Sequence, residues 1–160
     1  MSKRSAGILM YRLGAAGIEL LLVHPGGPFW AKKDHGAWSI PKGEYGPDEE
    51  PLACAIREFE EELGSAPQAA GASAFIELGE LVQPSRKVIT AFAVEGDFDP
   101  AELKSNHFKL EWPPRSGRQQ SFPEVDRVAW FAAAEARDKI QPGQSLFIDR
   151  LFATLGHKQR

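Results

Sequence analysis

One stretch of the sequence decides the fold: Gly43-Glu44-Tyr45-Gly46-Pro47-Asp48-Glu49-Glu50-Pro51-Leu52-Ala53-Cys54-Ala55-Ile56-Arg57-Glu58-Phe59-Glu60-Glu61-Glu62-Leu63-Gly64. Its composition predicts a loop followed by a helix. Pro51 suits the first helical turn, because its missing N–H would have no partner there. Gly64 is typical of a helix C-terminus. Apolar residues at the helical period predict the buried face: Leu52, Ile56, Phe59 and Leu63.

A second face of this helix carries carboxylates. Glu58, Glu61 and Glu62 stand at i, i+3 and i+4, so their side chains converge on one side. Like charges at this spacing repel, and a hard divalent cation would remove the repulsion. Mg²⁺ prefers oxygen ligands and commonly completes its coordination with water and substrate phosphates. The cluster therefore predicts a phosphate-handling Mg²⁺ site, whereas an isolated cluster of this kind would more often be solvated surface.

The spacing within the stretch resembles the Nudix box. That pattern is Gly, five residues, Glu, seven residues, then Arg-Glu-apolar-any-Glu-Glu-any-Gly-apolar. This chain matches all seven fixed positions: Gly43, Glu49, Arg57, Glu58, Glu61, Glu62 and Gly64. Phe59 fills the first apolar slot, and Ser65 departs from the pattern in the last one. The last slot packs the following loop and carries no chemistry, so the departure leaves the functional expectation intact.

The resemblance covers most of the chain from Ala6 to Phe131, closest to small bacterial nucleotide pyrophosphohydrolases with dinucleoside polyphosphate hydrolases as neighbours. It implies Mg²⁺-dependent (or Mn²⁺-dependent) hydrolysis of a pyrophosphate bond in a nucleoside diphosphate linked to another group. The implied metal ligands are Glu58, Glu61, Glu62 and the backbone carbonyl of Gly43. Glu58 would also orient or deprotonate the attacking water. Arg57 and Glu49 would support the site through a salt bridge, with a purely structural role as the alternative.

Outside the box the candidate residues are less specific. Glu124 matches a late acidic position that supplies a metal ligand or catalytic base in some Nudix enzymes, against the alternative of a solvated glutamate at a strand start. Lys42 stands directly before the loop that runs from Gly43 to the helix, called the metal loop below, and could meet a phosphate. The candidates for clamping a polyphosphate are Arg86, Lys87, Arg115 and Arg118. The candidates for stacking on a base are Trp30, Trp38, Trp112 and Phe122, of which Trp38 and Trp112 fit strand-like pieces and are expected in the core.

Composition narrows the class of protein. A length of 160 residues suits one domain spanning 1–160, with 42% apolar residues to form its core. A net charge of −3 and scattered basic residues give no nucleic-acid footprint. The one cysteine, Cys54, allows no internal disulfide and suits a reducing compartment. No targeting signal and no membrane-length apolar run stand out, so we expect a soluble cytoplasmic protein. The oligomeric state cannot be read.

The remaining elements are predicted from periodicity and breakers. Strands are expected at Ala6 to Leu13, Ile18 to His24, Phe75 to Val82, Lys87 to Glu95, Phe108 to Trp112 and Val125 to Phe131. Helices are expected from Ala132 to Lys139 and from Pro142 onward, with a short turn at Pro100 to Leu103. Pro113 to Pro123 is predicted to be irregular, and Ala69 to Ala74 to be a flexible connection. Together these elements predict a mixed sheet sandwiched between helices, the α+β fold that the Nudix resemblance implies.

The predicted function is a Mg²⁺-dependent Nudix pyrophosphohydrolase acting on a small nucleotide-type substrate, a nucleotide or a dinucleoside polyphosphate. Two alternatives stay open. A Nudix-like sensor would bind a nucleotide without turnover, although such proteins commonly lose box residues. An adaptor would use the loop from Pro113 to Pro123 to bind a protein partner. Nothing in the loops outside the box identifies the substrate.

Overall fold

The computed structural model describes residues 3–67 and 75–156. The connection expected at 69–74 lies outside these ranges. The strands are β1 (Arg4–Gly14), β2 (Gly17–Pro25), β3 (Lys42–Glu44), β4 (Ile76–Val82), β5 (Val88–Glu95), β6 (His107–Glu111), β7 (Gln119–Pro123) and β8 (Val125–Ala132). The helices are α1 (Pro51–Leu63), α2 (Ala133–Lys139) and α3 (Ser145–Leu155), with 3-10 turns at Pro100–Glu102 and Pro142–Gln144.

A mixed sheet forms the centre of the fold. Its strand order is β4-β5-β1-β2-β8, with β1 and β5 parallel and the other neighbours in this order antiparallel. The N-terminal half of β1 also pairs with β3, from Ser5↔Glu44 to Gly7↔Lys42. The C-terminal half of β1 pairs with β2, from Tyr11↔Leu20 to Gly14↔Gly17. One edge of β1 is therefore shared by two partners, β3 along its N-terminal half and β2 along its C-terminal half. The sheet divides between these two partners.

Helices cover both faces of this sheet, as predicted. One face packs on α1, with Phe59 and Leu63 fully buried against apolar residues of β1 and β5. The other face packs on α2 and α3, where Phe147 and Leu151 are fully buried with Trp38 and neighbouring residues. Alternate residues of β1 belong to the two cores, which is why the strand reads as one continuous apolar run. The buried face of α1 centres on Cys54, Ala55 and Phe59, while Leu52 and Ile56 are only partly buried.

The prediction of irregular structure from Pro113 to Pro123 is wrong in part. Residues Gln119–Pro123 form β7, which pairs with β6 from His107↔Pro123 to Glu111↔Gln119. The prolines at 113 and 114 and Gly117 fall in the connection between the strands. The segment 119–122 has no backbone breaker, so nothing prevents it from completing a hairpin with its neighbour.

Three smaller predictions have mixed outcomes. Pro142 begins a 3-10 turn rather than the final helix, which starts at Ser145. Trp112 is not part of either core; it is half-buried and contacts Phe29 edge-to-face, with the ring centroids 5.4 Å apart. Trp38 is buried as expected. Within the described residues, no helix has the length and apolar character needed to cross a membrane.

The hairpin of β6 and β7 is attached to the sheet through Gly26. The Gly26 N–H donates to the Glu124 carbonyl oxygen at 2.8 Å, and a Cβ at position 26 would lie 1.9 Å from the Pro123 carbonyl oxygen. The ring of Phe108 in the hairpin also lies close to Gly27, where an added Cβ would be 2.9 Å from Cζ. Glycine at 26 is therefore needed for the close approach of two backbones.

We expect Gly26→Ala to destabilise the protein by about 1–3 kcal/mol, because backbone would have to shift to admit the methyl group. Gly46→Ala is the matched control, since a Cβ there meets no atom within 4 Å. Urea denaturation of the two variants and wild type measures the effect. Equal free energies of unfolding for the two variants would contradict this account of Gly26.

Candidate active site

The site is built on α1, whose position the sequence explains. Pro51 occupies the first turn, and the helix ends at Gly64, which adopts φ 99° and donates its N–H to the Glu60 carbonyl oxygen at 2.8 Å. Phe59 and Leu63 bury one side of the helix against the sheet. Packing of these two side chains fixes the rotation of the helix. Glu58 and Glu62 are therefore held beside Gly43 and Lys42, whereas Glu61 is more exposed and contacts Arg57.

Gly43 of β3 lies directly against Glu58. A Cβ at position 43 would be 2.0 Å from Cδ of Glu58, so only glycine allows the carboxylate to lie on this backbone. The Cys54 thiol of α1 also contacts this residue, with Sγ 3.4 Å from the Gly43 carbonyl oxygen. Burial raises the pKa of Cys54 to about 11, so the group is a thiol that can donate to this carbonyl. The predicted carbonyl and carboxylate ligands are thus adjacent.

Arg57 connects the helix to the loop. Its Nε and Nη2 bind both carboxylate oxygens of Glu49, each at 2.9 Å. Its Nη1 contacts Glu58 Oε2 at 2.8 Å and Glu61 Oε1 at 3.2 Å. Arg57 holds the pKa of Glu49 below its ordinary value. The bidentate pair fixes the start of the box relative to the helix, and the remaining guanidinium nitrogen neutralises part of the carboxylate charge.

The carboxylates differ in burial and in pKa. The side chain of Glu61 is 41% exposed and that of Glu58 is 12% exposed, whereas Glu62 is 7% exposed as a residue. Burial raises the pKa of Glu62 to about 9, with further contributions from Glu58 and Glu124. Burial, together with Glu61 and Glu124, also raises the pKa of Glu58. Glu124, which directly precedes β8, therefore acts electrostatically on both helix glutamates, although 62 positions separate it from Glu62.

A cavity of about 180 Å³ opens beside this cluster, at the division of the sheet. Polar residues from four segments line it: Ser39, Lys42, Glu62, Glu124 and Gln141. Apolar residues form the rest of its wall: Val23, Pro25, Ile40 and Val125. Burial lowers the pKa of Lys42, an effect that Glu62, Glu44 and Glu58 oppose. One cation, Lys42, and two carboxylates, Glu62 and Glu124, thus face a space that is apolar on its remaining side.

The donor atoms suit a hard divalent cation. Carboxylate oxygens and one backbone carbonyl are the ligands that Mg²⁺ and Mn²⁺ prefer. Mutual repulsion among Glu58, Glu61, Glu62 and Glu124 would be relieved by such an ion. Across residues 3–67 and 75–156, no three His, Cys, Asp or Glu side chains are grouped so that they could hold a metal ion. Two of these carboxylates, Glu58 and Glu61, are instead paired with Arg57.

The other predicted residues lie at different distances from this centre. Lys87 pairs with Glu44 of β3, with Nζ 3.1 Å from Oε2. Arg86 is exposed in the turn between β4 and β5. Trp30 packs against the core on the α2 and α3 face, with Lys33 over its ring. Phe122 pairs with Phe108 in the hairpin, with ring centroids 5.9 Å apart. Arg86, Trp30 and Phe122 are not among the residues that line the cavity.

Several cavity residues escaped sequence reasoning. Ser39 and Gln141 line the wall, and Gln144 is completely buried behind it. Their positions depend on pairing between distant segments, and no local pattern marks them. The deep burial of Glu62 did leave a signal, because Ala55, Phe59 and Glu62 fall on one side of a helix.

Comparison with known proteins agrees with this geometry. The family model for the NUDIX domain matches residues 1–151. No curated protein matches the chain in sequence. An Ap4A hydrolase from C. elegans, solved as a binary complex, superposes with a TM-score of 0.66 at 20% identity and covers 95% of this chain and 98% of that chain.

Two further solved structures share the fold. The NUDIX domain of Shewanella oneidensis NrtR, complexed with ADP ribose, has a TM-score of 0.62 at 13% identity, covering 97% of this chain and 89% of that one. A MutT protein from Methanosarcina mazei Go1 has a TM-score of 0.59 at 19% identity, covering 98% and 96%. With the family model extending over 151 of the 160 residues, the chain belongs to the Nudix family and is a pyrophosphohydrolase.

Proposed function

We propose that this protein catalyses Mg²⁺-dependent hydrolysis of a pyrophosphate bond in a nucleotide or a dinucleoside polyphosphate. One observation carries the proposal: Glu58 lies against Gly43 and interacts electrostatically with Glu62 and Glu124, and these two glutamates line a cavity together with Lys42. Carboxylates that repel one another are favourable in such a place when a cation and a phosphate chain share it. Members of the family generally use divalent metals, which fits this donor set.

The cation would be held by Glu58, Glu61, Glu62 and the carbonyl oxygen of Gly43. When bound, it supplies charge neutralisation and orientation of the phosphate oxygens. The side chains of Glu58 and Glu61 would exchange their contacts with Arg57 for the ion. Arg57 would keep its bidentate contact with Glu49, so the helix and the loop would stay in register.

The protein side chains divide the remaining work. Glu58, partly buried and with a raised pKa, would orient the attacking water and accept its proton. Glu124, which directly precedes β8, lines the adjacent cavity and would support this step through its electrostatic interaction with Glu58. Lys42 faces the carboxylates from the cavity and would bind a phosphate oxygen. Lys87, linked to the loop through Glu44, adds positive charge behind it.

A nucleotide-type substrate is supported by the surroundings of the cavity. Pro25 and Glu124 line it, and aromatic residues are close to each of them in the sequence: Phe29 and Trp30 after Pro25, and Phe122 before Glu124. Trp30 and Phe122 would stack on a base, which every nucleobase allows. The similarity to an Ap4A hydrolase and to a domain that binds ADP ribose is consistent with this substrate class.

Glu58→Gln should reduce kcat by about 10²–10⁴-fold, because the amide cannot accept the proton of the attacking water. Glu60→Gln, an exposed residue of the same helix, is the matched control and should leave kcat unchanged. Phosphate release from dinucleoside polyphosphates, nucleoside triphosphates and ADP-ribose with and without Mg²⁺ measures both. Full turnover by Glu58→Gln would refute this role. Nucleotide binding by wild type without turnover of any compound would identify a sensor instead.

The stability of the metal-free protein should fall between about pH 5 and pH 9. Glu62 has an ordinary pKa of 4.5 when unfolded and about 9 when folded, so the folded chain retains a proton that the unfolded chain releases. The stabilisation is complete below the unfolded pKa and is lost as the pH rises through the folded one. Glu62→Gln should flatten the profile of Tm against pH in EDTA, whereas Glu60→Gln should not. Parallel profiles for wild type and Glu62→Gln would contradict the assignment.

Phe122→Leu should raise KM by about fivefold or more while kcat changes little, because stacking contributes about 1–3 kcal/mol per base. Leucine preserves the apolar contact with Phe108 and removes only the aromatic face. Leu13→Ala, which alters an exposed apolar residue at the end of β1, is the control. An unchanged KM would exclude Phe122 from the substrate site.

A further inference from the structure

A buried polar network lies behind the wall of the cavity. Gln144 is fully buried, and its Oε1 accepts the Ile40 N–H at 3.0 Å. Its Nε2 donates to Ser39 Oγ at 2.9 Å, and that hydroxyl in turn donates to the Ile40 carbonyl oxygen at 2.7 Å. One side chain from the C-terminal part of the fold therefore satisfies a segment 104 positions earlier in the chain.

This segment leads directly into the metal loop. Ile40 precedes Pro41, whose carbonyl oxygen accepts the Ile8 N–H at 3.1 Å, and Lys42 and Gly43 follow. On its other side, Ser39 exchanges both backbone hydrogen bonds with Val23, at 2.8 and 2.9 Å. The loop is thus held by β1, by β2 and by Gln144, and the last of these contacts uses a side chain alone.

Gln144 does more than hold the 3-10 turn at Pro142–Gln144 in place. Gln83 fastens the same 3-10 turn, donating from Nε2 to the Gly143 carbonyl oxygen at 2.8 Å. That contact joins the turn to the connection between β4 and β5 and does not involve the metal loop. Gln144 and Gln83 therefore anchor one short element to two different parts of the fold.

We propose that Gln144 is a positioning residue that sets the Gly43 carbonyl for the divalent cation, an inference that rests on the proposed function. Without the amide, the Ile40 N–H would be buried without a partner, and the Ser39–Ile40 segment would move to satisfy it. The displacement would be transmitted through Pro41 and Lys42 to Gly43. Residues that orient metal ligands from behind commonly affect metal affinity in this way.

The test measures Mn²⁺ binding by electron paramagnetic resonance of the free ion, on intact protein without substrate. Gln144→Met conserves volume and removes both hydrogen bonds, and it should weaken Mn²⁺ binding by about tenfold. Gln83→Met, the matched control, should bind Mn²⁺ within about twofold of wild type, because its hydrogen bond does not reach the loop. Thermal unfolding of both variants measures how much each substitution lowers the stability of the protein.

Equal Mn²⁺ affinity in Gln144→Met and Gln83→Met would overturn the inference, whatever their stabilities. If Gln144→Met does not fold, Ser39→Ala replaces it; this variant removes only the hydroxyl and should weaken Mn²⁺ binding by about threefold, and an unchanged affinity would again overturn the inference. Glu58→Gln separates this outcome from failure of the proposed function. Loss of Mn²⁺ binding there, with unchanged binding in Gln144→Met, refutes only the role of Gln144. Absence of binding to wild type refutes both.

Discussion

Repulsion among carboxylates at the edge of α1 is the constraint on which the rest of the site depends. Four glutamates interact there, and the most buried of them has its pKa raised to about 9. An arrangement of this kind lowers stability unless positive charge is close. Arg57 supplies part of that charge from α1, and Lys42 supplies part of it from β3. In the proposed function, a bound divalent cation would supply the rest.

Close backbone contacts hold the segments of the site together in addition to these charged side chains. Gly7 and Gly43 allow β1, the metal loop and α1 to approach one another at distances that a side chain would prevent. The pairing of β1 with β3 then places Gly43 beside Glu58. Because β1 is buried on both faces, its position is determined by two cores at once. The backbone at Gly43 is accordingly positioned by a strand that both cores hold in place.

Sequence reasoning predicted the parts of this structure that depend on neighbours in the chain. The α1 helix follows from Pro51, Gly64 and the apolar period between them. The box residues, with fixed spacing along one helix and its loop, could likewise be recognised. The strand β7 was missed, because residues 119–122 lack strong strand character and are ordered by their partner β6. The alternation of Trp112 with Leu110 predicts a buried face, but it does not show which residues pack on that face. Trp112 packs against Phe29, which is itself exposed in a loop.

The cavity shows why chemistry and specificity differ in how well they can be read. The carboxylates belong chiefly to one helix, so a local pattern contains them. The walls come from β2, the segment before β3, the start of β8 and the connection after α2. These segments meet only because the sheet divides beside β1, and each contributes one or two residues with no spacing in common. A change in any one of them would alter the shape of the cavity without touching the glutamates. Substrate choice can therefore vary on this fold while the hydrolytic centre stays the same, and for the same reason it is carried by residues that a local motif cannot contain.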